Sequence, residues 1–255
     1  MPRYPITIDQ ETVQVGSAAE LAIALDVLQG QFDREVLTQL QPHLARIILQ
    51  PNQFFIVMKS LSPDDQVFLI HALRGNLAEI IQDASHLRDL LATLAEEKVE
   101  TTLLQALGKE GLHSLILTGE ELAEVLEWVY GQTDELALDL LGLEYVQNLC
   151  REAADLSIIL RSLDADLQSR LVDRLGWEFC LGLVRDGRDL AYLLRALPFA
   201  TSERLLKHYE PAQLARLIGN SRDWKYLYQR LEPAEADFIT HLLGLKNTRR
   251  NSHAA

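Results

Sequence analysis

The sequence predicts an all-α fold, a right-handed α-solenoid of about seven repeats of three helices each, and two observations support this prediction. The first is an apolar stripe with the i, i+3, i+4, i+7 spacing of one helix face, as in Leu156, Ile159, Leu160 and Leu163. The second is its recurrence, because copies begin at residues 21, 54, 87, 122, 156, 190 and 224, which are 33 to 35 residues apart. The repeat unit is therefore ~34 residues long.

Two further apolar stripes follow the first one in most copies, and each predicts another short helix. In the fifth copy they are Leu171/Val172/Leu175 and Cys180/Leu183/Val184. Each repeat therefore has three helices, and the seventh copy stops after its second helix. We expect a single domain over residues 17–244, with repeats that start near residues 17, 50, 83, 118, 152, 186 and 220.

Capping residues support the helix starts that the stripes predict. A polar residue of the type that accepts hydrogen bonds from first-turn amides stands four residues before most first stripes. These residues are Ser17, Asp83, Thr118, Asp186 and Asn220. Ser17 with Glu20, and Thr118 with Glu121, also have the spacing of the reciprocal capping box.

The two ends of the chain do not repeat. Within the N-terminal arm, residues 1–16, Ile6, Ile8, Val13 and Val15 alternate around Asp9. This alternation predicts either a small hairpin or an extended arm, and the terminal position leaves partial disorder as a further alternative. Residues 245–255 are polar and lose the period, so we expect a disordered tail.

Composition indicates a protein of the cytoplasm. Hydrophobic residues make up 48% of the chain and charged residues 24%, as in ordinary globular proteins. We expect no membrane span and no secretory signal, because no apolar run is long enough. The two cysteines, Cys150 and Cys180, lie on third-helix stripes, and we expect buried reduced thiols in a reducing compartment rather than a zinc or redox site.

The net charge of −13 is unevenly distributed. Residues 121–150 hold seven acidic residues and no lysine or arginine, whereas residues 186–255 have a net charge of +3. Binding to nucleic acid is disfavoured, because phosphate contacts depend on lysine and arginine and this chain is acidic overall. The acidic block instead suggests a protein partner, one with a basic segment.

The acidic block of the fourth repeat is the first candidate partner-binding surface. It surrounds Trp128, which lies off the apolar stripe, and exposed tryptophan is typical of contact hot spots. The candidate residues here are Glu124, Glu127, Trp128, Tyr130, Glu135 and Asp139. The alternative interpretation is a solvated helix face with no partner.

Equal positions in successive repeats give the second candidate surface. Arg161 and Arg195 share one position in their first helices, and Tyr192 and Tyr226 share another. In a solenoid, equal positions stack into rows, so these residues predict either a basic and aromatic groove or packing and salt bridges between repeats.

No motif for catalysis, a metal or a cofactor is recognisable. The seven histidines form no HExxH or Cys/His ligand set, and the chain has no GxGxxG, GxxxxGK[ST] or GxSxG. We therefore expect no cofactor and no metal. A site assembled from distant repeats leaves no such motif, so it stays open as an alternative.

Two segments of the sequence resemble the helical repeats of two bacterial families. They are DLAYLLRALPFATSERLLKHYEPAQLARLIG (189–219) and DLSIILRSLDADLQSRLVDRLGWEFCLGLV (155–184). One is the cytosolic N-terminal domain of MgtE-type magnesium transporters, and the other is the flagellar motor switch protein FliG. The resemblance covers residues 17–244 as leucine spacing, and no functional residue carries over. What it implies is an armadillo- or HEAT-like α-solenoid.

These observations predict a non-enzymatic protein-interaction module, such as an adaptor, scaffold or regulator, with a bacterial effector as one variant. It would bind a partner segment on the surface of the solenoid. An enzyme or ligand-binding protein with a site built across repeats is the alternative from another class. A self-assembling structural protein is the third, and the oligomeric state stays open.

Overall fold

The structure is a computed structural model that describes residues 2–28, 30–129, 131–219, 221–231 and 233–244. Within these residues the regular elements are α-helices, one β-hairpin and a short 3-10 turn at Gln41–His43, so the all-α prediction is confirmed. Contacts divide the chain into two compact units. Unit 1 comprises Met1–Leu117 and Glu124–Gly142, and unit 2 comprises Thr118–Ala123 and Leu143–Ala255. The single domain over 17–244 stays a prediction.

Unit 1 begins with an antiparallel hairpin of β1 (Tyr4–Ile8) and β2 (Glu11–Val15). Asp9 and Gln10 form its turn with φ values of 50° and 73°, the left-handed backbone that a two-residue hairpin turn needs at both positions. Of the interpretations of the apolar alternation in residues 1–16, the hairpin is therefore the one that the structure has. One face of the hairpin is apolar, because Tyr4, Ile6 and Val15 are buried.

The helices of unit 1 pack against neighbours that lie about one predicted repeat away. Contacts join α1 to α4, α2 to α5, and α8 to α5, α6 and α10. The bounds of these helices are α1 Ala18–Leu28, α2 Asp33–Leu40, α3 Leu44–Ile47, α4 Pro51–Lys59, α5 Pro63–Ala72, α6 Leu77–Ile81, α7 Ala84–Leu91, α8 Glu97–Leu115, α9 Gly119–Leu126, which begins in unit 2, and α10 Gln132–Leu141.

A glycine in left-handed conformation turns the chain between a second and a third helix. Gly108 has φ 61° inside α8 and bends it at the point where two separate helices were predicted. Gly142 and Gly176, with φ values of 79° and 87°, stand at the equivalent points 34 and 68 residues later. A residue with a Cβ adopts this backbone only at a cost, so the glycines shape these turns.

Unit 2 contains the remaining helices. Contacts join α12 to α15, α15 to α18, α16 to α19, and α13 to α11 and α14. The bounds are α11 Leu143–Leu149, α12 Ala153–Arg161, α13 Ala165–Leu175, α14 Trp177–Gly182, α15 Gly187–Arg195, α16 Phe199–Lys207, α17 Pro211–Leu217, α18 Ser221–Arg230 and α19 Pro233–Leu242. All the residues of the two apolar stripes that begin in α12 and α15 are buried. They are Leu156, Ile159, Leu160 and Leu163, and Leu190, Leu193, Leu194 and Leu197.

A side chain directly before the first stripe residue reaches back to an amide at the start of its helix. The residue is acidic or an amide, and its acceptor oxygen lies 2.8–3.0 Å from the backbone nitrogen. The five pairs are Glu20 with Gly16, Gln53 with Leu49, Glu121 with Thr118, Asp155 with Arg151, and Asp189 with Arg185. Each bond supplies a partner to an amide that the helix leaves without one.

A second recurring side chain caps the end of the first helix. Gln66 donates to the carbonyl of Met58 at 2.9 Å, Gln168 to Leu160 at 2.9 Å, and Ser202 to Leu194 at 3.2 Å, in each case eight residues back. Asp33 stands at the same offset from Leu25. A carboxylate has no hydrogen to donate there, so this position is a poor place for a charged aspartate.

Asp33 is buried, with 1% of its surface exposed, and neither carboxylate oxygen has a hydrogen-bond partner among the described residues. Burial, followed by the charges of Asp65 and Asp26, raises the pKa of its carboxyl above the ordinary value. The fold therefore favours the protonated acid. The protonated carboxyl of Asp33 therefore contributes to the stability of the folded protein at a pH below its pKa in the unfolded chain. This contribution is lost as the pH rises through the raised pKa of Asp33 in the folded protein.

We predict that Asp33→Asn stabilises the protein at pH 7 by about 1–2 kcal/mol, because asparagine carries no charge and has an amide donor for the helix end. The gain should shrink towards pH 3, where the wild-type carboxyl is protonated in both states. Urea unfolding followed by circular dichroism across this pH range measures it. Glu79→Gln on the exposed surface of α6 is the matched control. A destabilised Asp33→Asn at pH 7 would contradict the assignment.

Candidate protein-interaction site

An open groove of about 670 Å³ lies between the β-hairpin and α1 in unit 1. Apolar side chains from both elements form much of its lining. Among the lining residues are Ile8, Val13, Ile23, Val27, Leu28 and Phe32. We call this surface the hairpin groove.

The groove is apolar because α1 has two apolar faces and only one of them is covered. Leu21 and Leu25 of the predicted stripe are fully buried. Ile23 and Val27 lie on another face of the helix and are 62% and 74% exposed, and Val13 of β2 is 50% exposed. Single exposed apolar residues are common, but three that line one concavity make this surface a candidate for a contact with a partner.

The two outer edges of the hairpin differ. Gln39 of α2 closes the edge of β1, because its amide accepts from the N–H of Thr7 and donates to the carbonyl of Thr7, both at 2.9 Å. Pro5 has no N–H, so its pairing with Gln14 is a non-hydrogen-bonded pair. The backbone groups of Gln14 and Thr12 therefore face away from β1 and have no partner among the described residues. β2 thus presents a free strand edge next to the groove.

The charges around the groove are acidic. Asp9 and Glu11 line its turn end, and Asp26 is exposed on α1 between Ile23 and Val27. No lysine or arginine is among the described residues that line the groove, and Arg3 and Arg34 of unit 1 pair with Glu20 at 3.0 Å and with Asp65 at 2.8 Å. An apolar floor with an acidic rim favours a ligand that combines apolar and basic side chains.

The acidic block of the fourth predicted repeat is partly neutralised within unit 1. Arg88 of α7 bridges Glu124 at 2.8 Å and Asp89 at 2.8 Å. Glu127 and Trp128 are exposed, Trp128 by 40%. These two residues keep the properties that the sequence predicts for a contact surface.

The other members of the block are more restricted. Glu135 is half-buried and Asp139 exposed, and each has an interaction partner. Tyr130 lies outside the described residues. The structure therefore brings Glu124, Glu127 and Trp128 to one end of α9 and the turn after it, and it uses Glu124 for a contact inside the unit.

The arginine and tyrosine rows of unit 2 also make internal contacts. Arg161 donates to the carbonyl of Ser157 in its own helix at 3.3 Å, and Arg161 and Arg195 are both exposed. The guanidinium of Arg188 lies 5.3 Å from the ring centre of Tyr226. Its pKa is raised, first by a hydrogen bond with Tyr192 and then by one with Tyr226. Tyr192 and Tyr226 are half-buried, and the groove and the packing interpretation both stay predictions.

Other concave surfaces and ligand sets give weaker candidates. A second concavity of unit 1, of about 520 Å³, lies between α4 and α7, with Gln82, His86 and Asp89 on its wall. Among the described residues no group of three or more histidine, cysteine or acidic side chains is arranged to hold a metal ion. No helix of the described chain is long and apolar enough to cross a membrane.

The two cysteines are buried free thiols. Burial is the main cause that raises the pKa of Cys150 to about 12 and that of Cys180 to about 11. A nearby Asp155 adds to the shift of Cys150. Both thiols are therefore protonated at neutral pH.

We predict that native protein reacts with a thiol reagent at pH 7–8 at least ~100-fold more slowly than the unfolded chain, because the thiolate is the nucleophile and both sulfurs are covered. Absorbance of released thionitrobenzoate measures the rate with and without guanidinium. Cys150→Ser and Cys180→Ser assign the signals. Fast labelling of either thiol in folded protein would contradict the burial.

Comparison of the chain with protein-family models, curated proteins and solved structures finds no match. Sequence reasoning missed the hairpin groove. The available signal was the second apolar pair of α1, Ile23 and Val27, which the stripe of Leu21 and Leu25 does not use.

Proposed function

We propose that this protein is a non-enzymatic interaction module, an adaptor, scaffold or regulator of the cytoplasm, and that its hairpin groove binds an extended, basic segment of a protein partner. The observation that carries the proposal is the groove itself. It combines exposed Val13, Ile23 and Val27 with an acidic rim and a free strand edge.

We propose further that the helices form a right-handed, armadillo-like α-solenoid of three-helix repeats. Supporting this, the first helices begin at Ala18, Pro51, Ala84, Gly119, Ala153, Gly187 and Ser221, at the 33- to 35-residue interval of the stripes. Packing of α1 on α4 in unit 1, and of α12 on α15 in unit 2, agrees with stacking of equal helices.

The binding mode we propose is strand addition. A partner segment that pairs with β2 would satisfy the outward backbone groups of Thr12 and Gln14. Because side chains of a strand alternate, every second residue of the segment would face Ile23 and Val27. The intervening residues would face solvent or the rim of Asp9 and Glu11, where lysine and arginine are favoured.

The exposed Trp128 and Glu127 support a second contact surface for the same class of function. An enzymatic or small-ligand function would use the concavity beside His86 and Asp89, and self-assembly would place a second copy of this chain in the groove. Both are alternatives to the binding of a peptide in the groove. Light scattering over a concentration series detects self-assembly.

We predict that selection of short random peptides against the immobilised protein enriches sequences that alternate apolar residues with lysine or arginine. Val27→Lys should lower the affinity of an enriched peptide at least ~10-fold, because it places a cation on the apolar floor. Fluorescence anisotropy of a labelled peptide measures the affinity. The matched control is Leu49→Lys, which changes an exposed apolar residue outside the groove.

Enrichment of acidic or of unrelated peptides would contradict the proposed groove. Equal loss of binding in Val27→Lys and Leu49→Lys would also do so. A peptide that binds normally to Val27→Lys but not to Trp128→Ala would move the site to the acidic block.

Strand addition makes a separate prediction. Thr12→Pro removes an outward N–H, and proline is tolerated at such a position of an edge strand. We expect this variant to fold and to lose peptide affinity at least ~10-fold, whereas Thr12→Ser keeps it, because serine retains the backbone donor. Undiminished binding to Thr12→Pro would leave the groove as the site but exclude pairing with β2.

A further inference from the structure

A concavity of about 510 Å³ lies on unit 2, and its lining residues are different from those of the hairpin groove. It is formed by the end of α14 and the segment after it, by the turn that follows α16, and by α17. Its polar lining includes Arg185, His208, Gln213 and Arg216, and no acidic side chain is among the lining residues that the structure describes. We call it the basic pocket.

The two guanidinium groups of the basic pocket have no carboxylate partner among the described residues. This is not general in unit 2, where Arg204 forms an ion pair with Asp173 and also stacks on the ring of Trp177. Arg185 and Arg216 are both exposed. Two unpaired arginines in one concavity repel each other, so an anion between them is favourable.

The carboxylates nearest in sequence already accept hydrogen bonds from backbone amides. Asp189 accepts from the N–H of Arg185 at 3.0 Å, and Asp186 accepts from Arg188 and Asp189 at 2.8 and 3.0 Å. Glu210 takes part in a capping box at the start of α17. These three acids therefore bond to backbone amides at helix starts. The guanidinium groups of Arg185 and Arg216 stay available to donate hydrogen bonds to a ligand.

The remaining polar groups of the pocket add donors. Gln213 uses its carbonyl oxygen to accept from the N–H of Glu210 at 2.9 Å, which leaves its NH₂ group. His208 stacks on Trp177 with ring centres 5.0 Å apart, and this contact holds the imidazole by its face and leaves its N–H edge. The polar groups of the pocket can therefore all donate hydrogen bonds to a ligand. They are two guanidinium groups, an amide NH₂ and an imidazole N–H.

We propose that the basic pocket binds a phosphate monoester. Guanidinium groups match the oxygens of phosphate with paired hydrogen bonds, and a charged acceptor makes those bonds strong. The volume exceeds that of a phosphate group, and Leu181, Val184 and Leu217 supply apolar walls for the carbon part of the ester. The phosphate belongs either to a small molecule or to a phosphorylated side chain.

Isothermal titration calorimetry of the full chain with phenyl phosphate, a phosphoserine-containing peptide and inorganic phosphate tests the proposal. We expect phenyl phosphate or the phosphopeptide to bind more tightly than inorganic phosphate, and the better of the two identifies the source. The double variant Arg185→Gln/Arg216→Gln should lose affinity at least ~10-fold. The control Arg74→Gln/Arg151→Gln removes the same charge from exposed residues outside the pocket and should keep affinity within about twofold.

Gln213→Glu provides a second variant that does not depend on the arginines. Glutamate retains an oxygen for the amide of Glu210, so the start of α17 is preserved, but it places a negative charge in the pocket. We expect at least a ~10-fold loss of phenyl phosphate affinity, with unchanged circular dichroism. Fluorescence of Trp177, in a Trp128→Phe/Trp224→Phe background, should respond to phenyl phosphate because its ring contacts His208.

Two results would overturn the assignment. One is the absence of binding of all three compounds to the wild-type chain up to about 10 mM. The other is an equal loss of affinity in the pocket variants and in Arg74→Gln/Arg151→Gln, which would mean a general effect of charge. Neither result bears on the hairpin groove, which lies on unit 1 and is tested with unphosphorylated peptides.

Discussion

Coverage of the apolar stripe on each first helix is the constraint on which the rest of the structure depends. A helix of 8 to 11 residues such as α1 or α7 is too short to be stable alone, so it forms only where a neighbour buries its leucines. In unit 1 α4 packs on α1, and in unit 2 α15 packs on both α12 and α18. Where the cover is incomplete, at Ile23 and Val27, the apolar surface is open and becomes the candidate for a partner.

Short helices impose a second requirement, because each has as many unpaired terminal amides and carbonyls as a long one. The chain meets it with side chains at constant positions, such as Asp155 and Asp189 at helix starts and Gln66 and Gln168 at helix ends. Asp33 occupies one of these positions with a group that can donate only when protonated. Because the nearby acids Asp186, Asp189 and Glu210 bond to amides at helix starts, the guanidinium groups of Arg185 and Arg216 have no carboxylate partner within the described part of the chain.

Much of the helical content was predictable from sequence, since leucine spacing and capping residues are local signals. The stripes located the starts of first helices to within a few residues, and the alternation of Ile6, Ile8, Val13 and Val15 included the hairpin among its interpretations. Contacts between helices were not predictable in the same way. Arg88 meets Glu124 across 36 residues, and the pairing depends on how two helices lie side by side.

The candidate surfaces were likewise predictable only where a local signal exists. Exposure of Ile23 depends on what covers α1, and no local pattern encodes that cover. The acidic block was visible as composition, but the use of Glu124 inside unit 1 was not. Arg161 and Arg195 share a sequence position, yet the guanidinium that lies between tyrosines is that of Arg188, two residues before the stripe of its helix begins.

Amide hydrogen exchange of β2 tests the central claim, that a partner strand completes the hairpin groove, most directly. The amides of Thr12 and Gln14 point outward and should exchange rapidly in the free protein. With a saturating basic peptide from the selection, the account predicts that both slow markedly, because each gains a backbone acceptor. Unchanged exchange at Thr12 and Gln14, with new protection only in residues 124–139 or 188–195, would contradict it.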